Sequence, residues 1–228
     1  MNQSRAIVES LTMEAILLQL TLAFREGKMC TKYEHIPVVR IKNGRLWNDV
    51  KFSLTYDGEL LSASDKHNRV QNKNQIRFDL ASQIWPIYCA GDFSRFQLDH
   101  NTIVQSGVDF YGIGFFPLLT RKMNASCSLA IRFMRNDRLG DIVHGGDLDN
   151  RLKTLFDALR LPEQDNEVLP KLYPSELSDN DVKLCGCLLE DDSLITDLTV
   201  NTVTIMRPLP KNHVRLVIDV EFRPFDFV

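Results

Sequence analysis

The segment at residues 145–162, GGDLDNRLKTLFDALRLP, constrains the fold of this 228-residue chain more than any other. Leucines recur in it at the spacing of one helical face, which predicts an amphipathic helix with a buried apolar stripe. The stripe consists of Leu148, Leu152, Leu155 and Leu159. A helix of this kind buries its stripe against other elements, so the segment is expected to build part of the core of its domain.

Two carboxylates open this helix, one residue apart. Inside a helix Asp147 and Asp149 would point about 200° apart and could not share a ligand. At the N-cap position, Asp147 is free of that geometry and its carboxylate can turn toward that of Asp149. A structural interpretation stays open, because Asp suits a helix N-terminus and Asp149 with Lys153 makes a favourable i, i+4 ion pair. Asp157 continues this stripe on the side predicted to be exposed.

A second acidic cluster lies later in the chain, where CLLEDDSLITDLTV sets Glu190, Asp191 and Asp192 before a predicted strand. Consecutive carboxylates repel one another unless they are well solvated or a cation lies among them. Mg²⁺, for which Mn²⁺ can substitute, takes few carboxylates and keeps waters, one of which can become a nucleophile. Lys153 would supply a fixed positive charge for the transition state. The candidate catalytic residues are Asp147, Asp149, Lys153 and Asp192, and the candidate metal ligands are Asp147, Asp149, Asp191 and Asp192.

Basic residues fall into two zones, although the net charge of −3 taken alone argues against a nucleic-acid ligand. Residues 62–85 are predicted to form a helix that ends before Pro86, with four basic residues in one narrow stripe. The second zone surrounds the predicted strand ASCSLAIRF. A solvated surface and a phosphate-contacting surface are both open interpretations of the stripe. The candidate DNA-binding residues are Lys66, Arg69, Lys73, Arg77, Arg121, Lys122, Arg132, Arg135 and Arg138.

The order of elements indicates an α+β fold, with a mixed β-sheet flanked by helices and an extra N-terminal helical segment. Residues 1–45 are predicted to contain a helix at 10–26 and a lead-in, and residues 46–228 the main domain. That helix packs on its own domain or forms a dimer contact. Residues 161–189 read as an acidic connection, and the strands LTVNTVTIMRPL and HVRLVIDVEF as a final antiparallel pair.

Composition and cysteine use exclude other classes of protein. Apolar residues make up 44% and charged residues 25% of the chain, as in globular proteins. The longest apolar run, AILLQLTLAF, is too short to span a membrane, so no membrane partner is expected. An odd number of cysteines without a secretory leader predicts a reducing, cytoplasmic location. The C-x-C of Cys185 and Cys187 has no second pair at ligand spacing, which favours buried thiols over a zinc site.

These motifs together carry a resemblance to a known family. GDLDNRLKTLFDAL, followed by LLEDDSLITDLTV and a two-strand ending, resembles the RusA-type Holliday junction resolvases. The signature of that family is D-x-D-N, a lysine three residues after the Asn, then D-A-L, and later D-D before a strand. The resemblance covers roughly residues 126–222, and the link between its two motifs is longer and more acidic here than in compact members.

The resemblance implies a fold, a site and partners. Asp147, Asp149 and Asp192 would bind Mg²⁺, and Asp191 is similar to the lesser partner of the family's acidic pair. Lys153 would assist phosphodiester cleavage, and Asn150 and Asp157 would support the site. The family acts as a homodimer that nicks four-way DNA junctions symmetrically, which implies branched DNA and a second copy of the chain as partners.

The first functional hypothesis is therefore a Mg²⁺-dependent endodeoxyribonuclease that cleaves Holliday junctions or other branched DNA through a metal-activated water. The alternative is a module of the same fold that binds DNA structures or regulates, with weak or no cleavage, its groove blocked by the acidic connection. A third, remote hypothesis takes D-L-D as the metal motif of a nucleotide-sugar transferase. The absence of a nucleotide-binding strand–loop–helix pattern ahead of it argues against that hypothesis.

Overall fold

The computed structural model describes residues 50–65, 68–89, 106–136, 147–172 and 183–224. Within them the chain forms strands in two sheets and two long helices, which confirms an α+β fold with mixed sheets. The elements are β1 (Val50–Glu59), α1 (Arg69–Cys89), β2 (Val108–Phe110), β3 (Ile113–Leu119), β4 (Ala125–Arg135), α2 (Asp147–Leu159), β5 (Lys183–Leu189), β6 (Ile195–Thr204) and β7 (His213–Pro224). The predicted helix at 10–26, Lys66 and Arg138 lie outside the described residues.

Four strands form the larger sheet, in the order β1-β7-β4-β6. β7 is antiparallel to both β1 and β4, whereas β6 runs parallel to β4. Since β4 lies between them, the prediction that the last two strands pair with each other is wrong. The physical reason is the burial of β4 from Ala125 to Leu129, because the backbone groups at both edges of a buried strand need hydrogen-bond partners.

The smaller sheet has the order β2-β3-β5. β2 and β3 form a hairpin whose two turn residues, Tyr111 and Gly112, have φ of 58° and 73°, as a type I′ turn requires. β5 pairs in parallel with β3, so the last part of the expected connection at 161–189 is a strand instead. Its sequence, KLCGCLL, contains no β-branched residue, which makes its strand pattern weak.

Helix α1 lies between two apolar cores. Ile76, Leu80 and Ile84 are buried in the main core, which the larger sheet and α2 complete. Phe78 and Ala81 pack against the smaller core, which is formed by β3, β5 and the segment after α2. Few residues of this helix therefore remain exposed to solvent, so its basic residues are also drawn toward the interior.

The bounds of α1 differ from the prediction of a helix at 62–85. At its start, the Asp65 N–H donates to the Ser62 carbonyl oxygen over 3.0 Å in a separate turn, because short polar side chains there favour turns over helix. At its end, the helix continues through Pro86 to Cys89. Proline removes only one helical hydrogen bond, and the burial of Ile87 in the main core holds the last turn in place.

The motif helix matches its prediction. It spans Asp147–Leu159, and the expected stripe faces the main core, with Leu155 and Leu159 fully buried and Leu148 half-buried. No helix among the described residues is long and apolar enough to cross a membrane.

Candidate functional site

The first turn of α2 presents one of the predicted acidic residues to solvent. The described part of the helix begins at Asp147, of which only the backbone is described, so the predicted cap geometry of its carboxylate lies outside the described residues. Asp149 Oδ2 lies 3.8 Å from Lys153 Nζ, with 76% and 62% of the two side chains exposed. An ion pair this exposed contributes only about 0.3–0.5 kcal/mol to stability. The small stabilisation from this ion pair therefore does not by itself explain why Asp149 and Lys153 are present at these positions.

The two residues that follow Asp149 connect the first turn to the rest of the domain by hydrogen bonds. The Asn150 carbonyl oxygen accepts from the Ala63 N–H over 2.9 Å. Arg151 is buried, and its guanidinium donates to the Leu60 carbonyl oxygen and to Asn212 Oδ1. The start of the motif helix is thus bonded both to the segment after β1 and to the residue before β7.

The second acidic motif forms a 3₁₀ turn, Asp192–Leu194, which Asp191 caps. Asp191 Oδ1 accepts from the Ser193 N–H over 2.9 Å and lies 3.0 Å from Arg121 Nη2. The hydroxyl and N–H of Ser193, with further help from Arg121, hold the pKa of Asp191 below its usual value. Glu190 accepts from the Arg121 N–H over 2.8 Å.

Asp192 differs from its two neighbours. Its side chain is exposed, and it makes no hydrogen bond or ion pair with any residue that the structure describes. Asp191 is occupied by Arg121 and Ser193, so Asp192 is the carboxylate of this motif that is available to an external cation.

The two motifs pack against each other. Helix α2 contacts the Asp192–Leu194 turn, and Leu194 belongs to the same core as Leu152 and Leu155. The end of the helix is tied to the chain just before the acidic turn, because the Leu161 N–H donates to the Leu189 carbonyl oxygen over 3.0 Å. The acidic turn, although far from the D-L-D-N motif in sequence, therefore lies against the helix that this motif opens.

Asp149 lies at the start of this helix, about 15 Å from its end at Leu159 at 1.5 Å per residue, and the hydrogen bond to Leu189 follows at Leu161. Among the described side chains, no group of three or more His, Cys, Asp or Glu residues is placed to hold a metal ion. The chemistry of the exposed carboxylates of Asp149 and Asp192 nevertheless fits Mg²⁺, which takes hard oxygen donors and is commonly held by one or two carboxylates with substrate phosphates.

The basic stripe of α1 faces inward, contrary to the prediction. Lys73 and Arg77 are 4% and 1% exposed. Lys73 Nζ lies 3.1 Å from Glu167 Oε1, and Arg77 donates to the Asp157 carbonyl oxygen over 2.8 Å. Arg69, which is partly buried, donates to the Asp157 carboxylate and to Thr154. These residues join the two helices, and Lys73 and Arg77 are not available to contact DNA.

Asp157 is likewise not on the exposed side. Only 20% of its side chain is exposed, and its carboxylate pairs with Arg69, Lys73 and Arg160. The acidic connection completes this cluster, since Glu163 lies 2.8 Å from Arg160 and Glu167 contacts Lys73. Two described carboxylates of the connection, Glu163 and Glu167, therefore neutralise cations of the protein itself.

The second basic zone stays partly at the surface but does not form one patch. Arg121 and Lys122 are exposed in the turn before β4, beside the acidic motif. Arg132 is 60% exposed on β4, with Asp219 at 3.9 Å, and Arg135 is half-buried at the end of that strand. Arg121 contacts the acidic motif directly, through Asp191 and Ser193, and Lys122 is its neighbour in the chain.

Two buried arginines, Arg151 and Arg160, are absent from the residues predicted from the sequence, and they are 6% and 8% exposed. One signal was present for Arg151, because it lies three residues after Leu148 and four before Leu155, on the apolar face of the helix. An arginine at a buried position needs hydrogen-bond partners, which marks it as part of a network.

Comparisons of the chain with protein-family models, with curated proteins and with solved structures find no match.

Proposed function

We propose that this protein is a Mg²⁺-dependent endodeoxyribonuclease of the RusA type that cleaves four-way or otherwise branched DNA, as a homodimer. The observation that carries the proposal is the packing of the helix that opens with D-L-D-N against the turn that begins at the last Asp of E-D-D. The two halves of the family signature are far apart in the chain, and chance would not require them to meet. The exposure of Asp149, Lys153 and Asp192 further supports it.

Each residue has a role that its surroundings permit. Asp149 and Asp192, together with Asp147, would hold the cation, and Asp191 would shape the turn through its cap to Ser193. Lys153 keeps its ammonium group beside Asp149, where it can stabilise charge that develops on a phosphate. When bound, the divalent cation supplies charge neutralisation at the scissile phosphate and a more acidic water.

Arg121 and Lys122 are the DNA contacts that the fold favours most. Both are exposed beside the acidic motif, and Arg121 already has its guanidinium at Asp191. Arg132 would contact DNA more remotely, from the outer face of the larger sheet. Asn150 supports the site through its backbone, and Asp157 supports it by fixing α2 to α1.

The test is a cleavage panel of four-way, three-way, flap and linear duplex DNA in Mg²⁺, Mn²⁺ and Ca²⁺. We expect cleavage of the branched substrates in Mg²⁺ or Mn²⁺, with a loss of about 10²-fold or more in the variants Asp149→Asn and Asp192→Asn. The matched control is Asp165→Asn, which makes the same charge change at an exposed position of the connection. Cleavage by the two site variants at the rate of the control would refute the proposal.

Titration of Mn²⁺ separates the contributions of the two motifs. Weaker Mn²⁺ binding in both Asp149→Asn and Asp192→Asn is expected of one shared site. A change in only one of them would assign the cation to that motif alone and would contradict the shared arrangement.

One observation favours a second candidate, a module that binds branched DNA without cleaving it. Asp149 is paired with Lys153 and Asp191 with Arg121, and the described residues form no group of three metal-binding side chains. Such a module would bind a four-way junction equally in Ca²⁺ and Mg²⁺ and leave it uncut. Nicking in Mg²⁺ that is abolished by Asp149→Asn would exclude this candidate.

A further inference from the structure

Arg151 is buried although it follows the most exposed part of the motif helix. Its relative exposure is 6%, whereas 76% of the Asp149 side chain, two residues earlier, is exposed. Enclosing a guanidinium in a domain is unfavourable unless its donors are satisfied. The partners of Arg151 therefore indicate what its burial achieves.

Those partners close a ring around the start of the helix. Arg151 Nη1 donates to the Leu60 carbonyl oxygen, and Nη2 donates to Asn212 Oδ1 over 2.9 Å. The Leu60 N–H in turn donates to the Asn212 carbonyl oxygen over 2.9 Å. Both groups of Leu60 and both acceptors of Asn212 are thus used in a ring that we call the Arg151 clasp, consisting of Arg151, Leu60 and Asn212.

The backbone around the clasp is held from both sides. Asn212 adopts a left-handed conformation with φ of 62°, which Asn tolerates better than most residues. On the other side, the Asn72 side chain accepts from the Leu61 N–H over 2.9 Å and donates to the Glu59 carbonyl oxygen over 2.7 Å. The clasp consequently connects the first turn of α2 to the ends of two strands of the larger sheet.

We infer that Arg151 is a positioning residue, which through its clasp fixes the first turn of α2 and with it the direction of the Asp149 carboxylate. This inference rests on the proposed function, because it concerns the residues that would hold the cation. The planar fork of arginine can donate to two acceptors in a fixed geometry, whereas the ammonium group of lysine cannot reproduce it. Arg151→Lys therefore keeps the charge and loses the clasp.

Arg160 provides a matched control on the same helix. It is also buried, at 8% exposure, and it donates to the Leu161 carbonyl oxygen and pairs with Glu163, but it lies at the opposite end of α2. Arg160→Lys should disturb packing about as much as Arg151→Lys without reaching the first turn. The stability of both variants is measured by urea denaturation, so that effects of lost stability can be separated from effects of position.

Three readouts are compared in the full chain. In Arg151→Lys we expect Mn²⁺ binding and kcat for branched DNA to fall about tenfold, as is typical when residues behind metal ligands are changed, while KM for DNA changes less. Hydrogen exchange of the amides at 147–153 should rise in Arg151→Lys and stay parental in Arg160→Lys. Asn212→Gly removes the acceptor without touching α2, tolerates the left-handed backbone and should reproduce these changes, whereas Asn212→Asp, which keeps Oδ1, should lose less.

Equal behaviour of Arg151→Lys and Arg160→Lys in all three readouts would overturn the inference and leave Arg151 a structural residue. If hydrogen exchange at 147–153 were unchanged in both Arg151→Lys and Asn212→Gly, the clasp could not be what fixes the first turn. A parent protein that neither binds Mn²⁺ nor cuts branched DNA would refute the proposed function, and with it the assignment of a positioning role. The parent measurements thus separate failure of the function from failure of the clasp.

Discussion

Replacing Lys73 by Met tests whether the basic stripe of α1 is internal. Only 5% of the Lys73 side chain is exposed, and its ammonium lies 3.1 Å from Glu167 and 3.9 Å from Asp157. Methionine fills a similar volume with no charge, so the variant leaves Glu167 without its nearest cation. If the stripe were a solvated DNA-binding surface instead, the same change would have almost no effect on folding.

The expected loss follows from the burial of the pair. Removing one partner of a buried ion pair costs about 3–5 kcal/mol, because the other charge stays behind unpaired. Glu167 keeps 19% of its side chain exposed, and Arg160 remains 3.8 Å away. We therefore expect Lys73→Met to lower the free energy of unfolding by about 2–3 kcal/mol, below the full range. The control Lys122→Met, at an exposed lysine, should change it by no more than about 0.5 kcal/mol.

The effect should also depend on pH. Burial alone would raise the pKa of Glu167, but the Glu163 N–H, Lys73 and Arg160 outweigh it and hold that pKa below its usual value. A depressed pKa contributes stability above the unfolded value, roughly 4.3 for Glu, and this contribution disappears as the pH falls through the folded value. The loss in free energy of unfolding caused by Lys73→Met should accordingly be largest near neutral pH and become smaller in acid.

Urea denaturation at about pH 7 and about pH 3.5 measures both effects. The double variant Lys73→Met with Glu167→Gln gives the coupling between the two side chains, since it removes both charges at once. A loss no greater than that of Lys122→Met, or a deficit that is the same at both pH values, would refute the assignment of Lys73 to an internal ion pair.

Two further predictions concern packing and thiol chemistry. A Cβ on Gly186 would lie 2.9 Å from Ile84 Cγ2, so Gly186→Ala should destabilise the protein by about 1–3 kcal/mol, and urea denaturation that shows no loss would contradict this packing. Burial raises the pKa of the Cys127 thiol to about 12, so little of it is thiolate at neutral pH. Mass spectrometry should find the Cys127 peptide unmodified after native treatment with iodoacetamide and alkylated after unfolding, and rapid native alkylation would show that this thiol is accessible.

The parts of the fold that could be predicted from the sequence are those in which one periodic pattern decides. The leucine spacing gave α2 and the burial of Leu155 and Leu159, and the alternation in β1 is as expected for a strand with one buried face. The i, i+4 pair of Asp149 and Lys153 is local and was predictable for the same reason.

The parts that could not be predicted depend on partners distant in sequence. The spacing of Lys73 and Arg77 showed that they share a face but not what that face meets, and Glu167 and Asp157 come from a separate part of the chain. The pairing of β6 with β4 likewise depends on the edge of β4 that faces away from β7, and the sequence of β6 does not show which strand offers it an edge. Nor could spacing show that Arg121 would engage Asp191 and leave Asp192 exposed.

The hydrogen bond from the Leu161 N–H to the Leu189 carbonyl oxygen brings together the two ends of the link between the acidic motifs. The chain between these two residues is therefore closed into a loop. A loop whose ends meet can grow by insertion without displacing what flanks it, because longer closure adds little entropy cost. The described part of this loop contributes β5 and the buried Cys185 and Cys187 to the second core. A deletion of the whole link would therefore remove one strand of the smaller sheet and part of that core.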